Sequence, residues 1–253
     1  MSLDACAALV QRGDPDRFAA LLAAPVAARA RLLPLYALNL EVARAPWVSK
    51  EPMIAEMRLQ WWRDVVAEPT TPRAHEVAAP LHALIVEASL PRDVLDRMIE
   101  ARRWDIYRDP FEDQAAMDAY LEDTAAGLMW SSARALGAGP GAEAAVRAYG
   151  WAAGLAAYLR AIPDLAARGR IPLLDGRPEA VAQLALRGLI RLNAARHAGV
   201  PRALRPALLP GWQAEGLLKQ AARDPAAVAE GQLILSDFAR RGRLLWQATT
   251  GLF

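Results

Sequence analysis

The acidic pair Asp105 and Asp109 has a spacing that could serve metal chemistry. The two residues lie four apart, so a helix would place both carboxylates on one face, where their oxygens could share Mg²⁺. Pro110 follows immediately, and a proline at this point is typical of a helix end. We therefore interpret the pair as a solvated helix end and predict no metal there.

A second candidate is the arginine group Arg160, Arg168 and Arg170. Guanidinium groups bind phosphate or carboxylate through two parallel hydrogen bonds, so the three side chains could hold an anion. The same spacing also suits a plain charge cluster at the end of a helix. The sequence leaves both interpretations open.

Histidine and cysteine provide no further site. His75 and His82 are seven residues apart, His197 is isolated, and Cys6 is the single cysteine. None has a metal-ligand neighbour at a useful spacing, and no internal disulfide can form. We find no Ser-His-Asp set, glycine-rich phosphate loop or dinucleotide fingerprint. The sequence predicts neither a metal nor a cofactor.

The composition indicates that helices must position these residues. Of the 253 residues 54% are apolar, and alanine and leucine, both strong helix formers, supply most of them. The net charge of +2 comes from interspersed acids and bases, which argues against nucleic-acid binding. There is no signal-peptide pattern and no apolar run long enough to span a membrane. We predict one all-α domain over residues 1–253, with its core at about 15–240, soluble and cytoplasmic.

Apolar periodicity, interrupted by proline and glycine, predicts the individual helices. They are expected at 14–24, 26–45, 51–68, 75–88, 92–108, 113–137, 141–161, 178–198, 202–222 and 225–248. The helix at 141–161 carries a face of small residues around Gly154. Such a face permits close helix packing or leaves room for a bulky apolar ligand, and both remain possible.

An ordered set of motifs resembles the squalene/phytoene synthase family. It comprises Arg17, Leu21, Pro25, Arg29 and Leu35-Tyr36-Ala37-Leu38, then Leu59-Gln60-Trp61-Trp62, Tyr120 with Ala126-Gly127, Gly150 with Ala152, Leu159-Arg160, and Gly169-Arg170. The resemblance covers about residues 15–240. It implies an isoprenoid-synthase-type helical bundle with a central cavity.

Active members of that family use two Asp-rich motifs to hold Mg²⁺ on a diphosphate, and this chain departs from both. The positions correspond to Glu41, Ala43, Ala161, Asp164 and Leu165. Only two acids remain, and they lie on separate helices. Pro163 precedes Asp164 and is expected to end or kink its helix. The degraded motifs predict a chain without the family's metal chemistry.

A non-catalytic branch of the family, found in mitochondria and alphaproteobacteria, matches better than the active enzymes do. Its features resemble Leu38-Asn39-Leu40-Glu41-Val42-Ala43, Met57-Arg58-Leu59-Gln60-Trp61-Trp62 and Leu159 to Pro163. That branch is linked to assembly of respiratory complex I. The resemblance implies a role in assembly, with a complex I subunit or assembly intermediate as protein partner. The alternatives are an atypical transferase of farnesyl or geranylgeranyl diphosphate, which alone would need Mg²⁺, and an isoprenoid or lipid binder without turnover.

Several residues are candidates for lining the cavity or binding an anion. They are Tyr36, Asn39, Arg58, Trp62, Arg160, Arg168 and Arg170. Asn39 and Glu41 could instead form a buried hydrogen-bonded pair with Arg160. Of Trp61 and Trp62, one is expected in the core, and Arg58 and Arg63 could be surface salt-bridge partners.

The C-terminal stretch 238–253 mixes arginines with Leu, Trp and Phe. It could pack against the domain or lie on an anionic membrane surface. The sequence therefore leaves a peripheral inner-membrane location open.

Overall fold

The computed structural model describes residues 3–251, and helices dominate that part of the chain. Short 3₁₀ turns join several helices, and residues 3–251 contain no strand. The α-helices are α1 Leu3–Gly13, α2 Pro15–Ala23, α3 Val26–Arg44, α4 Pro52–Ala67, α5 Ala78–Glu87, α6 Arg92–Glu100, α7 Gln114–Leu121, α8 Gly127–Ala135, α9 Glu143–Ala167, α10 Pro178–Ala198, α11 Arg205–Leu208, α12 Ala214–Arg223, α13 Ala226–Ala229 and α14 Asp237–Thr250. The all-α prediction is confirmed.

Helix α1 was not predicted, because the expected helices began at residue 14. Its buried residues Cys6, Leu9 and Val10 have helical spacing and pack against α3. The break before α2 is set by Asp14, whose carboxylate accepts a hydrogen bond from the Arg17 amide at 2.9 Å. This side chain caps the start of α2, and Pro15 occupies the first helical position.

Two interior prolines do not end their helices. Pro34 lies inside α3, and Pro163 lies inside α9, which continues to Ala167. The prediction that α9 ends near residue 161 is therefore wrong. A proline removes one amide donor, but Ile162 is buried before it and Leu165 packs against the core after it. Packing on both sides of Pro163 accounts for the extra turn.

Three predicted helices are shorter or more broken than expected. The segment 92–108 leaves the α-helix after Glu100 and continues as a 3₁₀ turn, Ala101–Asp105. The segment 202–222 divides into short turns around Pro206 and Pro210 before α12 begins. The segment 225–248 divides near Gly231, whose φ of +71° belongs to the left-handed region that favours glycine.

The small face of α9 fixes how closely this helix approaches the segment Glu122–Ala126. That segment is a turn of π-helix between α7 and α8. A Cβ on Gly150 would lie 2.8 Å from the Ala126 Cα, and one on Gly154 would lie 2.3 Å from the Ala125 Cβ. These two glycines therefore permit a contact that any larger residue would block.

Candidate functional site

A cavity of about 350 Å³ lies between α3, α9 and the α7–π–α8 segment. This volume is within the range of small-molecule sites. The wall contributed by α9 consists mainly of small residues: Gly150, Ala153, Gly154, Ala157 and Ala161. The same face thus serves both expected purposes, close packing at its glycines and open space beside its alanines. The cavity opens at exposed Ala157 and at Trp47, which is 37% exposed. We call this opening the mouth. Ala43 lies one turn before Trp47, Ala161 and Leu165 lie one and two turns beyond Ala157, and all three are half-buried residues of the cavity wall beside it.

Three of the five degenerate Asp-motif positions line this cavity: Ala43, Ala161 and Leu165. The two acids that remain do not. Glu41 faces outward, with its Oε2 3.9 Å from the His75 Nε2. It lies two residues from Ala43, so the helix turns its side chain by about 200°. Asp164 lines a different pocket beside Arg160, Gln213 and Arg240.

The residues at the mouth do not fit a Mg²⁺–diphosphate clamp. Magnesium takes oxygen ligands in near-octahedral geometry, whereas Ala43, Ala161 and Leu165 bring no side-chain oxygen. Within residues 3–251 no group of three or more His, Cys, Asp or Glu side chains is placed to hold a metal ion. The two remaining acids cannot compensate, because they lie outside the cavity.

The acid that does enter the cavity is Asp105, which corrects the interpretation of a solvated helix end. Asp105 is only 5% exposed and lines the cavity, whereas Asp109 is exposed. Its carboxylate lies 3.2 Å from the Arg102 Nη1 and accepts a hydrogen bond of 3.0 Å from the Tyr120 hydroxyl. The 3₁₀ turn that replaces the end of the predicted helix directs Asp105 inward. It also separates Asp105 from Asp109, so the two do not form a pair.

The structure does not bring the three predicted arginines together. Arg160 is exposed and donates to the Asp16 carboxylate at 3.1 Å. The Arg168 guanidinium lies 4.6 Å above the Trp47 ring. Arg170 is buried over the Trp104 ring, where burial lowers its pKa. Each arginine has its own neighbours, and none of the three lines the cavity.

Tyr36 and Asn39 are buried on α3 and line the cavity. The Arg17 guanidinium lies 4.9 Å above the Tyr36 ring, and burial raises the pKa of Tyr36 to about 12. The expected network of Asn39 with Glu41 and Arg160 is absent from the described residues. Asn39 and Glu41 point to different faces of α3, and Arg160 is engaged by Asp16.

Trp62 and Arg58 lie on α4, away from the cavity wall. Trp62 is buried, as expected of one of the two tryptophans, and its ring lies 4.9 Å from that of His75. Arg63 forms the expected ion pairs, with Asp96 and Glu100. Arg58 is exposed and forms no ion pair within residues 3–251.

Sequence reasoning missed several polar residues of the cavity wall. Arg102, Thr124, Ser132 and Tyr158 all line it. The Ser132 hydroxyl donates to the Leu128 carbonyl at 2.8 Å, and the Tyr158 hydroxyl donates to the Pro172 carbonyl at 2.7 Å. The one available signal was a pair of serines within an otherwise apolar helix.

The arrangement of helices around this cavity is that of the isoprenoid synthase fold. The chain superimposes on squalene synthase HpnC from Alicyclobacillus acidocaldarius with a TM-score of 0.71 at 19% identity, covering 87% of this chain and 93% of that one. A dehydrosqualene synthase gives a TM-score of 0.67 at 12% identity, with 99% and 96% covered. Both confirm the predicted fold.

The chain belongs to the squalene/phytoene synthase family, because the sequence pattern of that family matches residues 10–173. It is also similar to proteins named NADH dehydrogenase (ubiquinone) complex I, assembly factor 6. The Drosophila melanogaster homolog is 30% identical over 181 residues, covering 67% of this chain and 53% of that protein. The Bos taurus protein is 25% identical over 169 residues, covering 66% and 51%. The chain thus spans about half the length of these relatives, and the predicted resemblance is confirmed.

No helix within residues 3–251 has both the length and the apolar character that crossing a bilayer requires.

Proposed function

We propose that this chain is a non-catalytic member of the family that assists assembly of respiratory complex I. The observation that carries the proposal is the replacement of the metal-binding wall. At the mouth, where active members place carboxylates, the chain has Ala43, Ala161 and Leu165. The names of its relatives support the assembly role.

The charge of the diphosphate leaving group determines whether this cavity wall could support the family's reaction. Ionising an allylic diphosphate separates an anion from a carbocation, and clustered Mg²⁺ ions normally neutralise that anion. The mouth offers methyl and isobutyl groups instead. The carboxylate nearest the cavity interior, Asp105, is already paired with Arg102 and Tyr120. The helical framework then supplies a shape and a surface for a protein partner, either a complex I subunit or an assembly intermediate.

Deleting the gene and measuring assembled NADH dehydrogenase on native gels tests the assembly role. The proposal predicts less assembled enzyme in the deletion strain and recovery when the chain is restored. Normal levels in the deletion strain would count against it. Incubating the purified chain with Mg²⁺ and farnesyl or geranylgeranyl diphosphate tests the transferase alternative. Product that disappears in Asp164→Ala would overturn the non-catalytic assignment.

A second candidate function is binding of an isoprenoid or lipid without turnover. It is favoured by the apolar small-residue wall of α9 and by the cavity volume of about 350 Å³. This function predicts a co-purified ligand in a native mass spectrum of the full chain. A spectrum that contains only the mass of the polypeptide would remove its support. A peripheral contact with the inner membrane is compatible with both functions and is part of this proposal.

A further inference from the structure

The surface beside the mouth combines three segments, 44–58, 105–109 and 168–171, which we call the mouth face. Side-chain contacts join the segments into one surface. Arg168 lies over the Trp47 ring, and the Arg108 Nη1 would lie 3.7 Å from a Cβ on Gly169. The Tyr107 hydroxyl donates to the Glu56 carboxylate at 3.0 Å. The face is therefore continuous from the start of α4 to the end of α9.

Large apolar side chains protrude from this face into solvent. Met53 is 73% exposed and Met57 is 67% exposed. They lie one turn apart on α4, so both point the same way. Val48, Ile54 and Ile171 are exposed beside them. A cluster of this kind usually marks a surface that contacts another phase or molecule.

The same face carries cations without ion-pair partners. The exposed side chains of Arg44, Lys50, Arg58, Arg108 and Arg168 form no ion pair within the described residues. Arginines elsewhere are commonly paired, as Arg147 is with Glu122 and Glu143. The exposed unpaired acids of the face are Glu51 and Asp109. Among these exposed, unpaired side chains, five cations against two carboxylates give the face a net charge of +3.

We propose that the mouth face docks on the surface of an anionic phospholipid bilayer. Its cations would contact the headgroups, and Met53 and Met57 would enter the boundary between headgroups and acyl chains. The position of the mouth favours a bilayer over an acidic protein. Ala157, Ala161 and Trp47 line the opening, so a docked chain would have an apolar path from the lipid to the cavity. This inference deepens the peripheral membrane contact proposed above.

The C-terminal helix α14 is the competing surface. Phe238, Leu245 and Trp246 are exposed on it. Its arginines, however, are largely engaged within the chain: Arg240 pairs with Asp16, and Arg243 with Glu215. α14 also rests on α2 and the Leu209–Gly211 turn. It has the apolar side chains of a membrane contact but few free cations, and therefore serves as an internal comparison.

Flotation of the full chain with phosphatidylcholine vesicles, alone or mixed with phosphatidylglycerol, tests the inference. The wild-type chain should float with the anionic vesicles and much less with the neutral ones. Lys50→Gln, Arg58→Gln and Arg108→Gln together should weaken that binding on the order of 100-fold, since each cation contributes about fivefold. Met53→Ser with Met57→Ser should weaken it about tenfold or more.

Matched variants change the same residue types elsewhere. Arg12, Arg202 and Arg223 are exposed and unpaired within the described residues, so Arg12→Gln, Arg202→Gln and Arg223→Gln together control for the loss of three charges. Phe238→Ser controls for exposed apolar area on α14. Both variants should bind vesicles within about threefold of wild type, because salt screens the interaction of a distant charge with the bilayer. All of these changes are at the surface, and circular dichroism checks that each variant is folded.

Three results would overturn the inference: no binding to either vesicle, equal binding to both, or loss of binding in Phe238→Ser with binding kept in the mouth-face variants. The third result would assign docking to α14. The assembly role is tested separately, by the amount of assembled NADH dehydrogenase in the deletion strain. If vesicles are not bound but deletion still lowers the enzyme, the bilayer inference fails alone, and a protein partner becomes the occupant of the face.

Discussion

Replacing Gly154 by alanine tests the close contact that positions the cavity wall. In an open helix this change stabilises by about 1 kcal/mol, because alanine has the better helix propensity. Here the new Cβ would lie 2.3 Å from the Ala125 Cβ, whereas ordinary contact begins near 3.4 Å. α9 and the π-helical turn would have to separate by about 1 Å. Overpacking of this kind costs about 1–3 kcal/mol.

We therefore expect the sign to reverse, with a net loss of up to about 2 kcal/mol and a Tm lower by up to roughly 8 °C. Thermal and urea unfolding, followed by circular dichroism, measure both quantities. Gly242→Ala is the matched control. Gly242 lies inside α14, and a Cβ added there would have no atom within 4 Å apart from its own stretch of helix. That variant should be as stable as wild type or more stable by up to about 1 kcal/mol. If Gly154→Ala also gains stability, α9 does not pack as described, and the placement of Ala157 and Ala161 loses its basis.

Three further perturbations have defined outcomes. Asp105→Asn leaves the half-buried Arg102 guanidinium without its carboxylate and should cost about 1–3 kcal/mol, measured by urea unfolding; no measurable loss would contradict the ion pair. Burial alone would raise the pKa of Asp16, but hydrogen bonds from Gln213, Arg160 and Arg240 hold this pKa below its ordinary value. Asp16→Asn should therefore lower the free energy of unfolding by about 1 kcal/mol near neutral pH and by less below pH 4, where the wild-type carboxylate becomes protonated. An equal loss at both pH values would refute this. The hydrogen bond from Arg196 lowers the pKa of Glu215 to about 2, so the stability it provides is complete above about pH 4.5 and lost as pH falls toward 2; Glu215→Gln should flatten the acid side of the stability curve, and an unchanged curve would count against it.

The long periodic helices were the predictable part of the fold. Helices α3 and α10 begin and end within a residue of their expected positions, because apolar spacing and flanking prolines both mark them. Helix α1 was missed because its eleven residues carry only three buried side chains, a signal too short to stand out. The predicted end of α9 before Pro163 was wrong because tertiary packing outweighed the local effect of the proline on the helix.

The candidate site likewise has residues that the sequence identified and contacts that it could not reveal. The sequence singled out Tyr36 and Asn39 as cavity candidates and Ala43, Ala161 and Leu165 as degenerate motif positions, and all five line one cavity. The inward turn of Asp105 was not predictable. It depends on a 3₁₀ turn and on Tyr120, which is fifteen residues away in sequence. Nor did the spacing of Arg160, Arg168 and Arg170 reveal that each has a separate partner, since those partners come from distant elements.

The central claim is that the chain supports complex I assembly without the chemistry of its family. The most direct test is the amount of assembled NADH dehydrogenase, on native gels, in a deletion strain that expresses Glu41→Gln with Asp164→Asn. These substitutions remove both acids left in the two degraded motifs. We predict that this variant restores the enzyme as fully as the wild-type chain, and that the empty strain has less. If the folded variant fails to restore the enzyme, the remaining acids are required; if the empty strain has a normal level, the chain does not support assembly.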